Sequence, residues 1–224
     1  MSASDAAPKY FQESASGVPI AVFGFGFSLG VLSLANTEIV PLDANLFVPV
    51  ALVTGALAML IGGLLEFRNG NLFGGTFGVA YAAFLFTTGA ILRWFAPEIT
   101  DAAGVSAFGD AFGAYLLVWA VFTAGLAIGA YYINLPAFLA FALLVIVYVL
   151  LGIVNITEPG SDFLLNLAGW IGLVDSAAAW YLGMGMVLNA TCPRPVLPMG
   201  PYPYRHKARA ASAQPQTGGS GSPS

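Results

Sequence analysis

Six stretches of this sequence stay apolar for about twenty residues or more, at 18–37, 45–66, 72–95, 112–132, 136–156 and 163–189. A helix rises 1.5 Å per residue, so about 20 residues cross a hydrocarbon core roughly 30 Å thick. Inside that core every backbone N–H and C=O must find its partner within the segment itself, which leaves helices as the solution for runs of this length. The pattern predicts an all-α polytopic membrane protein with six transmembrane helices per protomer. Charge usage agrees: 8% of the 224 residues are charged and 58% are hydrophobic. An ordinary soluble domain carries roughly 25% charged residues, so the surface of this chain must face lipid.

Several function classes fall away on composition. With seven basic residues and a net charge of -4 there is no basic patch, and nucleic acid is excluded as a partner. Cys192 is the only cysteine and His206 the only histidine, so neither a disulfide nor a Cys/His metal cluster is expected, and no cofactor is implied. The spans also hold no Ser-His or Cys-His pair for nucleophilic catalysis, which argues against an enzyme.

The polar N-terminal segment 1–16 and the Ala-, Ser-, Gly- and Pro-rich tail 201–224 read as disordered flanks of one transmembrane domain, 17–200. The first apolar run has a small-x-small triplet at Ser33–Ala35, as a cleavable leader would. Its flank carries Lys9 against Asp5 and Glu13 rather than a positive excess, so it is read as the first span. Six spans put both termini on one side. That side holds Lys9, Arg68, Arg194, Arg205, Lys207 and Arg209, against Arg93 and the acidic Glu158–Asp162 loop on the other, and positive charge marks the cytoplasmic face. A multi-pass cytoplasmic (inner) membrane protein with both ends inside is expected.

The stretch "EFRNGN" from Glu66 is the short hairpin between spans two and three, with Arg68 as a topological anchor and Asn69-Gly70 turning the chain. Glu66 is expected to be a solvated partner of Arg68, the alternative being a polar residue near a transport path. Gly26/Gly30, Gly74/Gly78 and Gly125/Gly129 each place two small residues one turn apart, which favours close helix packing in a bundle or an oligomer. Gly74, Gly78, Tyr81 and Leu85 share one helical stripe, and Leu144, Tyr148, Leu151 and Asn155 another. Together with Phe25, which stands between Gly24 and Gly26, these side chains are either plain core or the wall of a hydrophobic constriction. Asp175 lies inside the last run among Ala168, Gly172 and Ala179. A carboxyl within a span marks either a functional site or a hydrogen-bonded packing residue.

The segments "LLEFRNGNLFGGTFGVAYAAF", "GAYLLVWAVFTAGLAIG", "LLGIVNI" and "LAGWIGLVDSAAAWYLGMGMVLN…VLPMG" resemble, in this order and spacing, the acetate uptake transporter family of the succinate-acetate permease type. The resemblance runs from about Val18 to Gly200. Its signature turn covers Glu66 to Gly74, including Gly70, Asn71 and Phe73, and Pro19 is what remains of the first-span hallmark. The resemblance implies a homo-oligomer, a hexamer, in which each protomer has its own pore for acetate and related small organic acids, moved with a proton. It places the narrow point at Phe25, Tyr81 and Leu144, with Glu66, Asn155 and Asp175 as polar candidates for the substrate or proton path. A family glutamate late in span six is Met186 here, and Asp175 stands at an uncharged family position, which makes it a candidate for a relocated proton site. The alternatives are a passive pore for a neutral solute such as urea or an amide, and a non-transporting membrane subunit.

Overall fold

The computed structural model describes residues 15–41, 46–157 and 162–199. Lys9, Arg205, Lys207, Arg209 and Glu158, on which part of the charge argument rests, lie outside the described residues, as do 1–14 of the expected N-terminal flank and the whole tail 201–224. Among the described residues, six helices are long and apolar enough to cross a membrane: α1 (Val18–Asn36), α2 (Phe47–Arg68), α3 (Leu72–Ala103), α4 (Val105–Tyr131), α5 (Leu135–Thr157) and α6 (Asp162–Thr191).

Two of the helices run past the expected apolar boundaries. α3 was expected to end near residue 95 and instead continues to Ala103, and α4 begins at Val105 rather than near 112. The hydropathy pattern reports where lipid ends, and a helix is free to continue into water as long as its backbone bonds close. The extension is interrupted by a wide π-turn at Ile91–Phe95, next to Pro97. A proline in a helix removes one N–H donor and crowds the preceding turn, and a local π widening relieves both. α2 also holds a π-segment, at Val50–Gly55, directly after Pro49 in its first turn. Gly104 then separates α3 from α4 at φ +92°, a backbone conformation that an L side chain resists.

The helices pack in a ring. α3 lies on α2, α2 on α1, α1 on α6, α6 on α5 and α5 on α4. The ring closes between α3 and α4 through aromatic contacts and a hydrogen bond between Tyr81 and Thr123. Glycines set the closest approaches. Gly78 meets the backbone of Gly63 across α2 and α3, while Gly26 and Gly30 make room on α1 for Trp180 and Ser176 of α6. At Gly125, by contrast, an added methyl group would meet nothing within 4 Å. That glycine lies on the outer face of α4 with the exposed side chains of Val118, Val121 and Ile128.

Candidate functional site

Among the described residues, the ring holds two cavities that share part of their lining. One, of about 370 Å³, opens on the side of the α2–α3 turn, where Ser16, Asn71, Asn134 and Asn189 form its polar rim. The other, of about 200 Å³, lies toward the opposite side and has Asn36, Thr88 and Asn155 among its walls. Phe25 and Leu144 line both cavities. They stand where the two spaces meet, and both are almost fully buried, at 5% and 2% exposure. Among the described residues, no Asp, Glu, Lys or Arg lines either cavity.

Tyr81, the third side chain expected at the narrow point, lines neither cavity. Its ring stands edge-on to Phe25 with centroids 5.9 Å apart, and it is completely buried among Phe77, Phe84, Trp119, Phe122 and Phe141. Its hydroxyl lies 2.6 Å from Thr123 Oγ1. Thr123 gives its only hydroxyl hydrogen to the carbonyl of Trp119 at 2.6 Å, so Tyr81 is the donor in the first bond. The phenol is therefore anchored on α4, and its ring backs Phe25 from behind. Both aromatic stripes read from the sequence are found on buried faces. Gly74, Gly78, Tyr81 and Leu85 are buried, as are Leu144, Tyr148 and Leu151, with Asn155 half-buried at the wall of the smaller cavity and its amide donating to the Leu151 carbonyl at 2.8 Å.

Glu66 departs from expectation. It is 3% exposed and does not bond Arg68, which is exposed at the end of α2. Its carboxylate instead accepts from the Ser16 hydroxyl at 2.8 Å, from the Gly17 backbone N–H at 2.7 Å and from the side-chain amide of Asn71. The reason lies in the turn. Gly70 takes φ +74°, which brings Asn71 back over the end of α2. Asn71 caps α3 by accepting from the Gly74 N–H at 3.0 Å, so its amide nitrogen is left to point at Glu66. Gly17 opens α1 with Pro19 in its first turn, and its N–H is among those a helix start leaves without an internal partner. One carboxylate thus ties the start of α1 to the α2–α3 turn at the rim of the larger cavity. Phe73 and Gly74 of the same turn line that cavity, and Phe73 packs edge-on against Phe141 of α5.

Sequence reasoning missed Thr123, Ser16 as a partner of Glu66, and the strap that follows α6. In the strap Asn189 Oδ1 accepts from the N–H groups of Val196 and Leu197 at 2.7 and 3.0 Å, and Tyr181 donates to the Pro198 carbonyl at 2.6 Å. Met199 is thereby held against the larger cavity beside Met186. Only the quoted "VLN…VLPMG" pairing hinted at this fold-back.

The sequence profile of the GPR1/FUN34/yaaH family matches residues 2–201. The chain belongs to this family. Among its relatives, the succinate-acetate/proton symporter SatP of Escherichia coli (strain K12) is 36% identical over 186 residues, which cover 83% of this chain and 95% of that one. A solved structure of the bacterial acetate channel SatP superposes with a TM-score of 0.73 at 34% identity, covering 84% of this chain and 99% of that chain. Ammonia transport outward protein 2 of Saccharomyces cerevisiae is 34% identical over 177 residues, 78% of this chain and 62% of the yeast protein. The family resemblance read from the sequence and the six-span all-α fold both hold.

Proposed function

We propose that the protein moves acetate or a related small organic acid across the membrane together with a proton, through the two cavities and past a dry neck at Phe25 and Leu144. The observation that carries this reading is the meeting of two uncharged cavities at two apolar side chains within one protomer. A carboxylate pays heavily to enter such a neck as a bare ion, because burying an unpaired charge costs far more than burying its neutral form. A proton travelling with it removes that cost. The similarity to SatP, named for both channel and symporter behaviour, supports the same solute class.

In this reading Tyr81 holds Phe25 in place. Tyr81→Ala is expected to widen the neck, raising leak of solutes such as succinate-sized anions or sucrose from loaded liposomes. Unchanged leak would assign Tyr81 to packing alone. Glu66 belongs to the scaffold of the entrance, Asn155 is a polar group in the wall of the smaller cavity, and Asp175 stands behind the wall of the larger one. The termini are cytoplasmic. In support, Ser16 sits at the α2–α3 turn, α6 ends where α1 begins, and Arg68 and Arg194 flank that same side. The protein assembles as a homo-oligomer, a hexamer by the resemblance, and the outer face of α4 with Val118, Val121, Gly125 and Ile128 is suited to a neighbouring copy. No covalent chemistry is involved.

The deciding experiment is uptake of radiolabelled acetate by purified protein in liposomes, with and without an inward proton gradient. Gradient-stimulated uptake is expected. The absence of any acetate flux would sink the reading. A second reading, a passive pore for a small neutral solute, is favoured by the uncharged lining that the described residues give both cavities, and its mark is flux of urea or ammonia that ignores the proton gradient.

A further inference from the structure

Among the described residues, three buried side-chain atoms have no hydrogen-bond partner: the hydroxyl of Tyr148 and both carboxyl oxygens of Asp175. A buried polar atom without a partner is costly, and natural proteins keep few of them. These three belong to neighbouring helices, α5 and α6, and lie within electrostatic range of one another without bonding.

Their height in the membrane is set by α1. Gly172 of α6 abuts Leu29 and Ser33, and the Ser176 hydroxyl donates to the Gly26 carbonyl at 2.8 Å. Asp175, between them, is therefore level with the neck at Phe25. It is completely buried and shares a helical stripe with Ala179, Leu182 and Met186, all three of which line the larger cavity. Tyr148 lies one turn from Leu144 and lines the smaller cavity. Tyr148 thus presents an orphaned hydroxyl in the wall of the smaller cavity, and the orphaned carboxyl of Asp175, in the wall of neither, stands one turn behind Ala179 in the wall of the larger one.

We propose that Asp175 and Tyr148 form a carboxyl-recognition site at the neck, made for a small monocarboxylic acid. This deepens the reading that such an acid passes here. The Tyr148 O–H donates to one oxygen of the solute, and Asp175 shares a single proton with the other. The solute's methyl group rests on Phe25 and Leu144. One proton serves two carboxyl groups. If the solute arrives as an anion, the Asp175 O–H bond breaks as the solute's O–H bond forms, the neutral acid leaves toward the far side, and the Asp175 carboxylate takes up a proton from the aqueous side that supplied the anion, so that one proton passes with each acid. A solute without a carboxyl group leaves both side chains unpaired, and a site built around hydrogen bonds discriminates strongly against such a solute. Among the described residues, the titratable side chains within electrostatic reach of Asp175 are Tyr148 of α5 and Tyr81 of α3, while α1 brings none. No fixed charge competes for the proton.

The test uses full-length protein in liposomes and the variants Tyr148→Phe and Asp175→Asn, with acetate uptake measured against concentration and against the proton gradient. Tyr148→Phe removes an oxygen that bonds nothing in the solute-free protein, so its thermal stability should be unchanged or raised while its KM for acetate rises about ten-fold, the effect of one hydrogen bond to a charged group. Asp175→Asn should assemble as wild type and lose most of the gradient dependence of uptake. Acetate should raise the melting temperature of the wild type in detergent more than that of either variant, a readout that survives if transport by a variant is too weak to analyse. Wild-type KM and wild-type gradient dependence in both variants would overturn the site while leaving acetate transport standing. A wild type that moves no acetate would instead remove the reading on which the site rests.

Discussion

Among the described residues the protein buries two carboxyl groups, and it treats them in opposite ways. Glu66, at the membrane edge, accepts from three donors that converge from the start of α1 and the α2–α3 turn. Asp175, at the level of the neck, accepts from none. Burial is nearly the same, at 3% and 0% exposure, so exposure alone does not tell scaffold from site. Partnership does. A satisfied carboxylate spends its lone pairs on holding the chain together, whereas in the site proposed above Asp175 keeps them for the solute.

The comparison can be broken first at Glu66. Glu66→Ala strands the Gly17 N–H, the Ser16 hydroxyl and the Asn71 amide together, and should cost about 3 kcal/mol or more, since hydrogen bonds to a charged group contribute roughly 1.5–3 kcal/mol each. Thermal unfolding of the purified variant in detergent checks this. A loss well below 1 kcal/mol would show that the knot is incidental. Asn71→Ala is the milder cut. It removes one donor to Glu66 and the cap of α3, and about 2 kcal/mol should be lost by the same measurement.

At Asp175 the expected sign differs. Asp175→Leu breaks no hydrogen bond and replaces an unpartnered polar group with an apolar one of similar reach, so stability should stay within about 1 kcal/mol of wild type or rise. A large loss would mean that Asp175 has a structural partner after all and would erase the contrast with Glu66. The smallest effect belongs to Arg68→Ala. Since Arg68 is exposed and does not bond Glu66, its removal should change stability by less than about 0.5 kcal/mol. A loss comparable with that of Glu66→Ala would restore the ion pair expected from the sequence.

The turn shows how far a local reading carries. "EFRNGN" announced a tight hairpin, because Asn-Gly turns and a helix-capping Asn have local causes, and Gly70 and Asn71 do what their residue types favour. The partner of Glu66 was misread, because Arg68 is near in sequence while Ser16 and Gly17 lie about fifty positions away. Helical spacing likewise found the buried stripes of α3 and α5. It did not distinguish Leu144, which faces both cavities, from Tyr81, which faces neither.

By itself, then, the sequence determined that this chain crosses a membrane six times and which faces of its helices turn inward. Lipid imposes a length and a polarity on every span, and both are written residue by residue. Only the tertiary structure decided where the cavities meet, which carboxyl is tied and which is left unpartnered. Those outcomes depend on which side chains arrive together from different helices, as Thr123 of α4 does at Tyr81 of α3 and Gly26 of α1 at Ser176 of α6. No spacing within a single helix encodes such a meeting.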